Sequence, residues 1–177
     1  MSNVGWVVAK AINKINNPDF TAAIKNAAKS VSDEIDKQAA VTPFGVPYRP
    51  FVWGDGWKIQ EFGVHQYFLY KAFPDIFKSA SIFNAMNFIL GVHPGENGAS
   101  FASGIGSRSL TIAYGVNRAD ESYIPGGVAS GIALIRPDFP ELLNWPYLWQ
   151  QTEYVLGGGA TNLTFLVLAA DHLLEKK

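Results

Sequence analysis

One long span without helical period, Gly91–Asn144, divides the chain of 177 residues and limits what it can fold into. It contains GVHPGENGASFASGIGSRS and YIPGGVASG, where glycine, serine and proline dominate. A connection of that length inside a compact domain is either functional or disordered. Its aromatic residues and short apolar runs argue for order, and Ser109–Tyr114 is compatible with a short strand. On both sides of the span, apolar residues recur at three and four positions, the mark of amphipathic helices. The chain reads as an all-α protein with helices joined alternately by short and long connections.

Val4, Val7, Val8, Ala11, Ile12 and Ile15 make the first helical stripe. Asn17 and Pro18 supply a cap and a first-turn proline for a second helix. Its stripe is Phe20, Ile24, Ala28, Val31 and Ile35, and its other face (Lys25, Lys29, Asp33, Glu34, Lys37) is a solvated surface. Val41–Gly56 carries three prolines and three glycines and reads as a loop. A third helix covers roughly Trp57–Phe73, with Ile59, Phe62, Gln66, Leu69 and Phe73 on one side. After Pro74 and Asp75 a fourth helix runs to about Leu90, with Gly91 as its C-terminal glycine. A fifth starts near Pro146 and a sixth covers about Ala160–Leu174. The pattern is one domain, 1–177, with no low-complexity tract.

Composition removes several function classes. A formal net charge of -1 gives no electrostatic case for nucleic acid or an anionic membrane. Without cysteine there are no disulfides and no thiolate metal sites. No apolar run is long enough to span a bilayer, and Met1–Lys14 lacks the apolar core of a signal peptide. His65, His93 and His172 have no paired spacing, which argues against zinc, and no cofactor is expected. His65 reads as a hydrogen-bonded core residue, His93 as a helix-end cap and His172 as solvated. GIGSRS and LGGGAT do not follow strands and lack the lysine of a phosphate-binding loop. Charged residues are only 16% of the chain against 48% hydrophobic, a balance that suits burial against more protein.

The segment WPYLWQQTEYVLGGGATNLTFLVLAA, Trp145–Ala170, concentrates the chemistry. Trp145, Trp149 and Glu153 fall four apart, on one drifting stripe of a helix. Burial among aromatics raises a carboxyl pKa because desolvation disfavours the anion, so Glu153 is a candidate proton donor. The indoles would stack a sugar ring. Gly157–Gly159 would end the helix and allow close backbone approach. Glu153 pairing within the helices is the plain structural alternative. A second cluster, Trp53, Asp55 and Trp57 in VWGDGW, suits a sugar subsite, although Asp-Gly is also a common turn pair. Arg108, in a glycine–serine loop, is placed either to bind sugar hydroxyls or an acidic sugar, or simply at the surface.

Ordered along the chain, these phrases resemble the C-terminal part of family-9 glycoside hydrolases, the cellulase-type (α/α)6 barrels. NFILGVHPGENGASFASGIG (Asn87–Gly106) resembles the family's "yilG.NP" helix end and "sfvtGfG" loop. IPGGVASG (Ile124–Gly131) resembles "PG.lvgGp". Thr152-Glu153 followed by YVLGGGATNLTFLVLAA resembles the "NE" that carries the catalytic acid, and Trp53–Ala72 resembles the "WG…n.afla..y" helix. Together these cover most of residues 50–177. The chain departs from the pattern in two places. Ser107-Arg108-Ser109 stands where the family has a "PHHR" substrate loop, and Thr152 stands where it has asparagine. The "DAGD"-like motif of the catalytic base is absent. About six helices are readable where an (α/α)6 barrel has twelve.

The resemblance implies about half of an (α/α)6 six-hairpin barrel, with Glu153 as general acid of an inverting hydrolysis of β-linked oligo- or polysaccharide. It implies a base supplied by an N-terminal portion, which with the carbohydrate is the expected partner; another copy of the chain is the alternative cover for the open seams. It also implies an extracellular or periplasmic location. Three other readings remain open: a non-catalytic carbohydrate-binding remnant of the barrel, an all-α interaction domain, and a site within this chain in which Asp55 is the base for Glu153.

Overall fold

A computed structural model describes residues 8–42, 45–47, 55–93, 98, 100–109, 113–114, 121–122, 125–129 and 158–175. Asn17 caps α1 (Pro18–Ala40) as the sequence leads one to expect. Its Oδ1 accepts from the Phe20 N–H at 3.0 Å, and Pro18 opens the first turn. This satisfies one of the amides that a helix start leaves without a partner. Of the expected stripe, Ala28 is fully buried and Ile24, Val31 and Ile35 are half-buried, whereas Phe20, at the helix start, is 41% exposed. Helical residues 8–11 and a 3-10 turn (Ile12–Lys14) precede α1. Ala9 and Ile12 join Ala28, Leu69, Phe73 and Phe77 in one apolar cluster. The Ser32 hydroxyl donates to Ile76 O at 3.0 Å and fastens α1 to the turn that follows the next helix.

α2 (Asp55–Ala72), α3 (Ala80–Ile89) and α4 (Gly158–Leu174) pack on one another. The stripe read along α2 is the packed one: Ile59, Gln66 and Leu69 are buried within it and Phe73 just beyond its end. Gly63 lies where all three helices meet. A Cβ there would stand 2.9 Å from Ala85 Cβ and 2.9 Å from Leu166 Cδ1, so the approach needs a residue without a side chain. Ile59, Ile82, Phe88 and Leu166 form the centre of the larger core.

α3 ends in a Schellman arrangement. Gly91, at φ +106, donates its N–H to Phe88 O at 3.2 Å, and Val92 donates to Asn87 O at 2.9 Å. The next two carbonyls are taken by the loop beyond. Phe101 N–H donates to Ile89 O and Ser107 N–H to Leu90 O, both at 2.7 Å. A Cβ on Gly91 would lie 2.3 Å from Gly98 O, so the turn accepts only glycine.

The long irregular span is therefore ordered where it is described. Phe101 and Ala102 reach into the core beside Val128 and Ala129, and Ala102 and Val128 form an antiparallel bridge. Ala113–Tyr114 pairs antiparallel with Glu121–Ser122, so the end of the expected Ser109–Tyr114 strand is extended. Apart from these short pairings, the regular secondary structure among the described residues is helical.

α4 is mostly apolar, and its outward side mixes Val167, Leu168 and Leu174 with Thr161, Thr164 and Asp171. Leu163, Leu166, Ala169 and Ala170 face the core, and Phe165 stacks on Phe68 of α2 at 5.3 Å between centroids. Val167, Leu168 and Leu174 point outward. No helix among the described residues is long and apolar enough to cross a membrane.

Candidate functional site

Two glycine-rich phrases that are separate in sequence form one structure. Ser103 N–H donates to Gly127 O at 2.9 Å and Gly126 N–H donates back to Ser103 O at 3.0 Å. Ala129 N–H adds a bond to Phe101 O at 2.7 Å. Residues 100–103 and 128–129 are buried beneath, while Gly104, Ile105, Gly106, Ser107 and Arg108 stand exposed above them as a rim. The rim is tied down at both ends. Gly104 N–H donates to Ser109 Oγ at 2.8 Å, Ser107 N–H holds Leu90 O, and Ser107 Oγ donates to Gly98 O. Short polar side chains substitute for strand pairing in such a turn.

Arg108 is exposed on this rim, and its carbonyl accepts the Ser100 N–H at 2.7 Å. Its guanidinium is thus carried on a fixed backbone and turned to solvent, a fit for hydroxyl or carboxylate groups of a ligand. Trp57 is half-buried in the first turns of α2, with the Lys58 ammonium 5.3 Å from its ring centre. Lys58 also pairs with Glu61 at 3.0 Å. Asp55 is the first residue of α2, where its backbone is helical rather than part of an Asp-Gly turn. Ile59, one half-turn beyond Trp57, shares the core cluster with Phe101 and Ala102, so both candidate regions rest on the same packed base. Trp53, Trp145, Trp149 and Glu153 lie outside the described residues.

Two of the three histidines differ from their sequence reading. His93, read as a helix-end cap, is buried just beyond the end of α3. It packs beside the stacked rings of Phe88 and Phe101, at 5.6 and 5.5 Å. His172 is half-buried rather than solvated. His65 is half-buried rather than core, and burial holds its pKa below the ordinary 6.5; Glu61 opposes this shift and Lys58 adds to it. The folded protein therefore prefers neutral His65, and the unfolded chain binds the proton more readily. Stability should be full above pH 6.5 and fall as the pH drops through and below that value. Chemical denaturation of wild type and His65→Gln across pH 5–8 checks this; the substitution should flatten the acid-side slope. Among the described residues no three His, Asp or Glu side chains gather as a metal site requires.

Ser100 and Gly63 carry structural roles that the sequence did not single out. Serine and glycine are common in loops and tolerated in helices, and neither advertises a contact far along the chain.

No protein-family model and no curated protein matches the chain. Solved structures do. Over 90% of this chain it is similar to a structure of AaCel9A in complex with cellobiose-like isofagomine, with a TM-score of 0.65 and 19% identity. Over 87% it is similar to a single mutant of the thermostable endoglucanase from Alicyclobacillus acidocaldarius, with a TM-score of 0.62 and 18% identity. In both cases it spans 32% of the longer chain. At this identity the likeness shows the fold, and that fold is the one the resemblance implies: part of an (α/α)6 barrel.

Proposed function

We propose that this chain is the C-terminal portion of a glycoside hydrolase that cleaves β-linked oligo- or polysaccharide with inversion. The observation that carries the reading is the fold likeness over 90% of the chain to a structure holding a cellobiose-like isofagomine. Inverting hydrolysis uses two carboxyl groups about 6.5–9.5 Å apart, one to protonate the leaving oxygen and one to activate a water. Glu153 is the proposed acid, and burial beside Trp145 and Trp149 would favour its protonated form. Trp53, Asp55 and Trp57 form a proposed sugar subsite. Arg108 reaches substrate hydroxyls from the rim. The base belongs to the complementary portion of the barrel. The outward Val167, Leu168 and Leu174 of α4 give that portion an apolar face on which to close. Substrate of this kind is met outside the cell or in the periplasm, which is the proposed location.

The test is direct. The chain of 177 residues should bind cellotetraose in isothermal titration and release no shorter sugar from it. Failure to bind would sink the carbohydrate reading. Cleavage by the chain alone, abolished by Asp55→Asn, would place both carboxylates in this chain and remove the need for a complementary portion.

A further inference from the structure

The rim described above hangs from one buried side chain. Ser100 is fully buried, and its hydroxyl reaches Ile105 O at 2.7 Å and also contacts Ala102 O. It accepts from the Ala102 N–H at 3.3 Å, and the Ser100 N–H holds Arg108 O at 2.7 Å. A single residue thus grips the rim at its tip, through the side chain, and at its far end, through the backbone. The contact is close: a Cβ on Gly106, at φ +87, would meet Ser100 Cβ at 2.5 Å and Leu90 O at 2.5 Å.

From this geometry we infer that Ser100 is a positioning residue, which fixes the Ile105–Arg108 rim in the conformation that presents the Arg108 guanidinium and the exposed Ile105 side chain to a sugar. The buried hydroxyl stabilises one loop conformation among many, since loosening the rim breaks its bond to Ile105 O and the bond of the Ser100 N–H to Arg108 O. The cost of ordering is then met before ligand arrives, and binding is stronger for it. The inference deepens the glycoside hydrolase reading and rests on it for the identity of the ligand, but not for the mechanics of the rim.

Two variants separate the hydrogen bond from the packing. Ser100→Ala removes the hydroxyl, and Ser100→Cys keeps a side chain of similar shape with a weak donor. Amide hydrogen exchange should quicken by about tenfold or more at Gly104 and Ser107, the hydrogen-bonded amides of the rim, in both, while the core amides of α2 keep their wild-type rates. Cellotetraose affinity should fall by about tenfold in Ser100→Ala and in Arg108→Ala, and Ser100→Ala combined with Arg108→Ala should lose no more than either alone, because both act through one contact. Wild-type exchange at the rim in folded Ser100→Ala or Ser100→Cys would overturn the inference, as would multiplying losses in the double variant. Should the wild-type chain not bind cellotetraose, the hydrolase reading falls, and the exchange rates still decide the role of Ser100.

Discussion

Glu153→Gln, introduced into an active enzyme assembled from this chain and its complementary portion, should lower kcat on cellotetraose about 10³-fold and leave KM nearly unchanged. Glutamine keeps the size and the hydrogen-bonding shape of a protonated glutamate but cannot deliver a proton. The loss therefore falls on the transition state, where the leaving oxygen takes up charge, and not on ground-state binding. The leaving group supplies an internal control. An activated aryl glycoside departs without protonation, so the same variant should retain most of its rate on that substrate. Equal losses on both substrates would mean that Glu153 acts on something other than the leaving oxygen. Unchanged turnover on cellotetraose would exclude the acid role and favour a non-catalytic carbohydrate-binding portion.

Gly63→Val should destabilise the folded chain by about 3 kcal/mol, roughly a 10 °C lower midpoint for a chain of this size. The first added carbon already lies 2.9 Å from Ala85 Cβ and 2.9 and 3.0 Å from the two terminal carbons of Leu166. Ala85 belongs to α3 and yields only if that helix moves. Leu166 can change rotamer, so the combination with Leu166→Ala should recover part of the loss. Gly63→Ala is a milder probe, because the better helix propensity of alanine, about 1 kcal/mol, offsets part of the crowding. Thermal unfolding followed by circular dichroism reads all three. A Gly63→Val chain as stable as wild type would mean that the three helices do not meet as closely as described.

Caps explain which helix ends were readable. Asn17 with Pro18, and Gly91 beyond α3, are local devices whose residue types declare their backbone geometry, and both appear where the sequence puts them. The start of α3 was not readable in this way. Ser79 precedes it with no side-chain cap bond, and the Pro74–Asp75 punctuation marks a turn at residues 74–76 several residues earlier. Asp-Gly suggested a turn at residues 55–56, yet packing of buried Gly56 and Ile59 draws α2 back to Asp55. The apolar stripe of α2 could be read from its period, but not Gly63, since a missing side chain leaves no apolar mark. The same limit held in the loops. Arg108 was legible as a charge among glycines and serines. Its support by Ser100, and the rung between Ala102 and Val128, join residues that share no periodicity. His65 looked like core because its neighbours are aromatic, but the helix turns it to a half-buried position beside Glu61.

The terminal carbonyls of α3 have one more consequence. Because Ile89 O and Leu90 O are held by Phe101 and Ser107 of the loop, the rim cannot open without uncovering the end of a core helix. Most binding loops soften well before their scaffold on warming, and activity fades ahead of unfolding. Here the loop and the helix share their hydrogen bonds, so the two should soften together. A protein built this way keeps its recognition surface intact up to the temperature at which the fold itself gives way.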